Sequence, residues 1–490
     1  MYVCGKMTKE SSKRELPPPP PPGLLSTLKA IGPGIILASL SIGAGEWIFF
    51  PAMIVKYGPS LMWMAAVGCI LQAILGVESM KYTVYCGQPI HEAYMKLGKP
   101  IAWAWAWALM LFIPVIWPGW AAASATAITA LQLGRMPGPG DSNLILMWAI
   151  VLLVASLIIL HLGVKIQRTL ELINWPIVLG VIVLVAIGVI AGAPSYAWIE
   201  VGKGIFSFGL PRGANWFIIA AAIAYIPAGF GFNLMLSSYA RDKGWGMGSK
   251  VGFISAVIGG KKVKISTEEI PFEVNEENLR RWKGWLRVIR VDSWIVMSLL
   301  TFITVYMTSV MAYGLLAPKG LAPMGWKVAA VQAEALRAVL GPIAWVIVLL
   351  GGFFMLFGTQ FGLMDAVSRV ITDNFWIASR GVRKWAKDDP RRVYYAVLYL
   401  LFTIALILLI GSIKFGWAKP YGIAATGANL GLFALTVAYP LQIIVNYRFL
   451  PKELRPNVVI TILLFLGMIY YGFFLTGLLL QTLAGIQILP

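Results

Sequence analysis

The sequence predicts an all-α polytopic membrane protein of about eleven transmembrane helices, built as an inverted repeat of five plus five. Three observations predict it. Of 490 residues, 59% are hydrophobic and 12% charged, with a mean hydropathy of +0.78, whereas soluble domains carry about 25% charged residues. Eleven stretches are long and apolar enough for a bilayer core of about 30 Å, which takes about 20 helical residues. The first and the sixth are interrupted mid-span by glycine and proline. That spacing points to two repeats folded around a site at the midplane.

Residues 1–28 form a polar tail with Lys6, Lys9, Lys13 and Arg14, then six prolines from Pro17 to Pro22. Such a run is polyproline II or disordered, and the tail is expected to be disordered and cytoplasmic. No apolar run precedes it, so a cleaved signal peptide is not expected. The spans fall near 29–55, 60–84, 101–132, 144–163, 169–192, 214–240, 293–317, 341–368, 393–412, 421–446 and 457–486. Residues 29–490 are thus one membrane domain, with repeats at 29–192 and 214–446 and an extra helix at 457–486. The amphipathic stretch Trp326–Leu340 is expected as a surface helix.

A net charge of +19 raises the question of nucleic acid, but the charge alternates with the spans. Placing the N-terminus inside puts 31 of the 40 Lys and Arg residues on cytoplasmic segments. That is the positive-inside pattern, so the expectation is a multi-pass plasma-membrane protein, N-terminus in and C-terminus out. Its partners are membrane lipid and a small solute or ion, not nucleic acid, and a monomer is expected. Eleven of the basic residues sit between Arg241 and Arg290. This cytoplasmic loop, 241–292, includes KKVKISTEEIPFEV, which alternates like a short strand, and reads either as a solvated, lipid-contacting loop or as a small cytoplasmic cap or gate support.

Cys4, Cys69 and Cys86 lack metal-ligand spacing and an even count, and His91 and His161 cannot build a multi-histidine site. No metal centre and no cofactor is expected. Nucleotide loops and nucleophile motifs are absent from the sequence, and no segment resembles a filter of carbonyl rings. Enzyme and channel readings are therefore set aside.

The first span, Gly32–Pro51, places Gly43, Ala44, Gly45 and Glu46 at mid-membrane. Each glycine weakens a helix by about 1 kcal/mol relative to alanine. Backbone freed at that depth needs shelter from lipid, and a carboxylate there is a functional-site hypothesis by default. The sixth span has Pro227, Gly229 and Gly231 mid-span, flanked by Phe230, Phe232 and Asn233. Half-helix ends at the two breaks offer free N–H and C=O groups to a ligand.

At these residues the chain resembles the Nramp family of proton-coupled divalent metal transporters, which have the LeuT-type fold. The resemblance is carried by Gly32–Gly34, by Trp47, by Gln72–Ala93 with KYTVYCGQPIHEAY, and by GTQFGLMDAVSRVITDNFW from Gly358. It implies a secondary transporter with alternating access and a site between the unwound parts of helices 1 and 6. The site itself departs from the family pattern. Asp-Pro-Gly-Asn is replaced by Gly43, Ala44, Gly45 and Glu46, and Met-Pro-His by Phe230, Gly231 and Phe232, followed by Asn233. Near the acidic pair that the family carries on helix 3 stand Pro118 and Ala121. Without thioether sulfur a preference for transition metals is lost, so the expected substrate is a small organic cation, amino acid or zwitterion. The alternatives are a divalent cation (Mg²⁺ or Mn²⁺), with or without proton coupling through Glu46, and a sensor or scaffold that transports nothing.

The candidate substrate-binding residues are therefore Gly43, Ala44, Gly45, Glu46, Pro227, Phe230, Gly231, Phe232, Asn233 and Asn429. Glu46 and Asp365 are the candidates for proton or ion coupling, and Asp365 is expected to pair with Arg369 one turn on. Glu78 with Lys81, and Glu171 with Arg168, read as interfacial ion pairs. His91 and His161 show no partner in sequence. Trp103, Trp105 and Trp107 read as an interfacial aromatic belt.

Overall fold

The computed structural model describes residues 14–486 except 44, 116–117, 211–212, 228, 322–332, 335, 338–340 and 418–419, with backbone alone at 230, 233 and 420–423. Ala44 and most of the surface helix expected at Trp326–Leu340 lie outside the described residues, as do the side chains of Phe230 and Asn233.

Every expected span is helical. Helix α1 (Leu24–Ala30) meets α2 (Pro33–Ser41) at a 66° bend, and after a break come a π-helical turn at Gly45–Phe49 and α3 (Phe50–Tyr57). The second span is α4 (Met62–Cys86), followed by the short α5 (Ile90–Met95). The third is split into α6 (Pro100–Val115) and α7 (Gly119–Leu133). Helices α8 (Ser142–His161) and α9 (Ile166–Gly192) are the fourth and fifth, and α10 (Ser195–Gly204) follows them. The sixth comprises α11 (Trp216–Tyr225), a 3₁₀ stretch at Gly229–Leu234 and α12 (Met235–Lys243). The seventh runs from α13 (Glu276–Arg290) through a π stretch at Val291–Leu299 into α14 (Leu300–Leu316). Then come α15 (Pro342–Ala378), the short α16 (Arg380–Trp385), α17 (Pro390–Phe415), α18 (Pro420–Arg448) and α19 (Val458–Ala484).

Among the described residues, nine helical spans are long and apolar enough to cross a membrane. The first and sixth spans are not among them, because each is built of short pieces. All nine residues of α2 and all of α11 but Phe217 are buried. By contrast α8, α9, α17 and α19 expose apolar side chains, with Ile158 55%, Val183 56%, Ile407 53% and Ile462 52% exposed. Lipid covers such faces at no cost, whereas backbone opened at a break must be sheltered by protein. The broken helices therefore take the centre and the unbroken ones the rim.

The basic end of the bundle differs most from expectation. The proline run is docked on α13 rather than disordered. Leu16 is fully buried and its N–H donates to Asn278 Oδ1 at 3.0 Å. Arg281 donates to the Leu16 carbonyl at 2.7 Å, Trp285 Nε1 to the Pro17 carbonyl at 2.9 Å, and Arg287 to the Pro20 carbonyl at 3.0 Å. Proline has no N–H but keeps its carbonyl acceptor, so a helix face rich in donors is what can hold such a run.

The stretch expected to form a strand forms none among the described residues; only isolated bridges link Leu162 to Ile258 and Lys165 to Ser255. Ile270 and Phe272 instead donate their N–H groups to the carbonyls of Cys86 and Tyr85, at 2.9 and 3.1 Å. Those carbonyls are orphans of the α4 C-terminus, and satisfying them replaces strand pairing. The segment is thus a packed cap rather than a solvated loop, and its last part is helix α13.

Candidate functional site

The break in the first span is fixed by close approach. A Cβ on Gly43 would overlap Thr359 Oγ1 of α15, and one on Gly45 would overlap the Tyr225 side chain of α11. Glycine is required where another element touches backbone this closely. Glu46 is the second residue of the π-helical turn, with its side chain entirely buried. Its Oε2 accepts the Gly43 N–H at 3.1 Å, and its carbonyl accepts the Thr308 hydroxyl at 2.6 Å. Its second carboxylate oxygen, Oε1, is buried with no hydrogen-bond partner among the described residues.

The sixth span breaks against the first. Helix α11 stops at Tyr225, whose ring stacks on Phe49 with centroids 5.2 Å apart, and whose hydroxyl donates to the Ala424 carbonyl at 3.0 Å. The carbonyl of Ile226, freed by the break, accepts Gln72 Nε2 at 3.2 Å. Pro227 and Phe232 are buried, and Gly231 has a φ of 76°, a conformation that suits glycine. The structure therefore brings Gly45 to the end of α11 at the break of the sixth span, through Tyr225, which the sequence did not single out, with Gly43 and Glu46 bonded to each other on either side of it.

Two expected site residues are engaged elsewhere. Asn429 Nδ2 donates to the Phe217 carbonyl at 3.0 Å, at the start of α11 rather than at its break. Asp365 pairs with Arg369 as expected, at 2.9 Å, but deep inside a larger cluster. Arg369 also bonds Asp242, and Arg241 bonds Asp242 at 2.7 Å and Asp373 at 2.6 Å. Asp365 further accepts the hydroxyls of Tyr239 and Tyr394 at 2.7 and 2.6 Å, and Ser238 donates to Asp373 at 2.9 Å. Every one of these charged side chains is at most 1% exposed. Two guanidinium groups against three carboxylates thus tie α12 to α15 and α17. The one available signal was Asp365, Arg369 and Asp373 at four-residue spacing, one face of a helix.

Other expectations change with burial. Glu78 and Lys81 pair at 2.8 Å but are buried, and Asn446 donates to Glu78 at 3.0 Å, so this is a helix-to-helix contact and not an interfacial pair. Glu171 meets Arg168 at 3.2 Å and Lys243 at 2.6 Å, its carboxylate buried. His91 lies 3.7 Å from Asp373, and His161 Nε2 is 2.7 Å from the Tyr399 hydroxyl. Of the three tryptophans, Trp105 is 56% exposed as a belt residue would be, but Trp107 is buried and stacked on Tyr94. In α5, burial and the nearby Glu269 push the Glu92 carboxyl up to about 8, opposed by Lys96. Among the described residues, no group of three or more His, Cys, Asp or Glu could hold a metal ion.

A multi-pass membrane protein whose first and sixth helices break against each other has the architecture of the LeuT-type fold. The structure is similar to that of the Eremococcus coleocola manganese transporter in a mutant form, with a TM-score of 0.65 at 13% identity over 94% of this chain and 89% of that one. The same transporter in complex with an aromatic bis-isothiourea substituted compound gives a TM-score of 0.66 at 13% identity, over 94% and 89% of the two chains. Mhp1, a nucleobase-cation-symport-1 family transporter with bromovinylhydantoin bound, gives 0.53 at 15% identity over 90% of each chain. These likenesses establish the fold. No family model matches the sequence. No curated protein matches it either.

Proposed function

We propose that this protein is a secondary transporter working by alternating access, which binds a small organic cation, amino acid or zwitterion between the breaks of its first and sixth helices. Glu46 is the observation behind it. A buried carboxylate with one oxygen unpaired among the described residues is costly unless a counter-charge or donor meets it, and a cationic group on a solute is such a partner. The Phe49 and Tyr225 rings beside the break suit a substrate with apolar bulk or an ammonium group. One carboxylate, with no metal-holding cluster among the described residues, fits an organic solute better than a tightly held transition metal.

In this reading the basic end faces the cytoplasm and the protein sits in the plasma membrane. Glu46 serves both binding and proton or ion coupling. Asp365 would contribute to coupling only when its cluster with Arg369, Tyr239 and Tyr394 opens. The test is a ligand-induced thermal shift on purified protein, with organic cations, amino acids and betaines alongside Mn²⁺, Mg²⁺ and Ca²⁺. A ligand that prefers the folded state raises stability by mass action. A shift with an organic solute that Glu46→Gln abolishes is the expected result. A shift with Mg²⁺ or Mn²⁺ that the same substitution abolishes would return the site to divalent-cation transport. No shift with any of them would favour the sensor reading.

A further inference from the structure

We infer that the turn between α8 and α9, together with the tip of the cap at 255–264, is a binding site for one anionic phospholipid. Helix α8 exposes an apolar stripe at Met147, Val151, Val154 and Ile158, and the next position on it, Leu162, is 42% exposed in the turn. Val164, two residues on, is 64% exposed. The turn marks where the lipid-facing surface ends, because Arg168, with 60% of its side chain exposed, follows one turn into α9.

The cap extends this lip. The Ile258 N–H donates to the His161 carbonyl and its carbonyl accepts the Gly163 N–H, both at 3.0 Å. Val257 and Ile258 are thereby held 52% and 57% exposed beside Leu162 and Val164. Four exposed aliphatic side chains pinned by backbone hydrogen bonds at a helix turn are unfavourable in water, and acyl chains at the boundary would cover them. Basic residues surround the lip. Lys261, Lys262 and Lys264 are exposed, and Lys262 Nζ is held against the Lys387 carbonyl at 3.0 Å.

Behind the lip lies a cleft of about 320 Å³ lined by Val164, Lys165, Gln167, Arg168, Glu171 and Lys243. It holds three cations against one carboxylate, and Glu171 is already engaged by Lys243 at 2.6 Å. Lys165 donates to the Asp242 carbonyl at 2.9 Å, and its amine keeps further donors for a second acceptor. An anionic headgroup phosphate would sit over Arg168 and Lys165, with the acyl chains along Leu162 and Ile158. Apolar lip and basic cleft together select a lipid over a soluble anion, and an anionic headgroup over a zwitterionic one.

The experiment uses the full chain, delipidated in a neutral detergent. It is titrated with phosphatidylglycerol, with phosphatidylcholine and with glycerol 3-phosphate, following melting temperature and bound lipid by native mass spectrometry. One phosphatidylglycerol is expected to stay bound and raise the melting temperature, while the other two additives leave it unchanged. Arg168→Gln and Lys262→Gln should each weaken phosphatidylglycerol binding about fivefold, the equivalent of about 1 kcal/mol per basic residue. Val164→Ser with Ile258→Ser should weaken it without altering net charge, and Lys452→Gln, outside the cleft, should not. Equal shifts with phosphatidylcholine, a full shift with glycerol 3-phosphate, or undiminished binding in both charge variants would overturn the inference.

Discussion

Asp292 and Gly34 are 258 positions apart in sequence, yet the carboxylate of the first accepts the N–H of the second at 2.6 Å. Its other oxygen accepts the Gly32 N–H at 2.8 Å. A helix leaves its first N–H groups without intrahelical partners, and Asp292 supplies acceptors for α2 from the π stretch of the seventh span. A negative charge at a helix N-terminus is favourable as well. The first half of the broken helix is therefore held at its start by another span.

Asp292→Ala is expected to leave buried donors unpaired, which costs about 1–3 kcal/mol. Gly34→Ala should destabilise by a different route, since its Cβ would overlap the Asp292 main chain. Both should lower the melting temperature of the purified protein, and Asp292→Asn, which keeps an acceptor oxygen, should do so less. An Asp292→Ala protein that melts with the unmodified one would show that α2 is held by something else.

Spans and broken helices were legible because each is written in local composition. Gly43 and Gly45 next to a carboxylate announce a break without tertiary knowledge. The docked tail was not legible, since six prolines look alike whether free or held, and the donors that hold them lie on Asn278, Arg281, Trp285 and Arg287. The role of Asp292 was hidden for the same reason. Its partners are main-chain N–H groups, which no sequence pattern marks, in a span far away. The ionic cluster was half visible. Asp365 and Arg369 share a helix face, but Arg241 and Asp242 are adjacent residues that become part of it only when α12 packs against α15.

The cluster of Arg241, Asp242, Asp365, Arg369 and Asp373 is expected to behave as a unit. Breaking a buried ion pair from one side costs about 3–5 kcal/mol because the remaining charge is left uncompensated. Arg369→Gln should therefore be severely destabilising alone. The double variant Asp365→Asn with Arg369→Gln should lose less than the sum of the two single changes, with a coupling of about 0.5–3 kcal/mol. Melting temperatures for the four proteins in the cycle measure this. Simple additivity would mean that the two residues do not act through each other.

Glu92 gives the basic end a pH dependence of definite sign. Glu269, Lys96, Arg241 and Asp373 are the charged groups that act on it, and its carboxyl is pushed up to about 8, from 4.5, first by burial and then by Glu269. The folded state then binds more protons than the unfolded one between those values, so stability falls as pH rises through that window. The contribution is complete below about 4.5 and lost above about 8. Glu92→Gln should flatten the decline in melting temperature between pH 6 and pH 9. A decline of unchanged slope in that variant would place the titrating group elsewhere.

The docking of the proline run on α13 makes the last prediction. Gly284 faces Pro19 so closely that a Cβ would overlap the proline ring, and Trp285 both bonds the Pro17 carbonyl and packs on Trp245, with ring centroids 6.3 Å apart. Trp245 in turn donates to the Ala30 carbonyl at 3.1 Å, at the end of the helix that leads into α2. Trp285→Ala removes the donor and the ring contact together. Gly284→Val should displace the prolines and leave α13 intact. Trypsin cleaves after Arg14, whose carbonyl is held by the Glu273 N–H at 2.9 Å, so cleavage there reports how often the segment opens. Losing one hydrogen bond and its packing, worth about 1–2 kcal/mol, should speed that cleavage about tenfold. Lys283→Ala, on the same helix but without a bond to the run, should leave the rate unchanged. If Trp285→Ala and Gly284→Val are cut no faster than the unmodified protein, the donors on α13 are not what secures the tail.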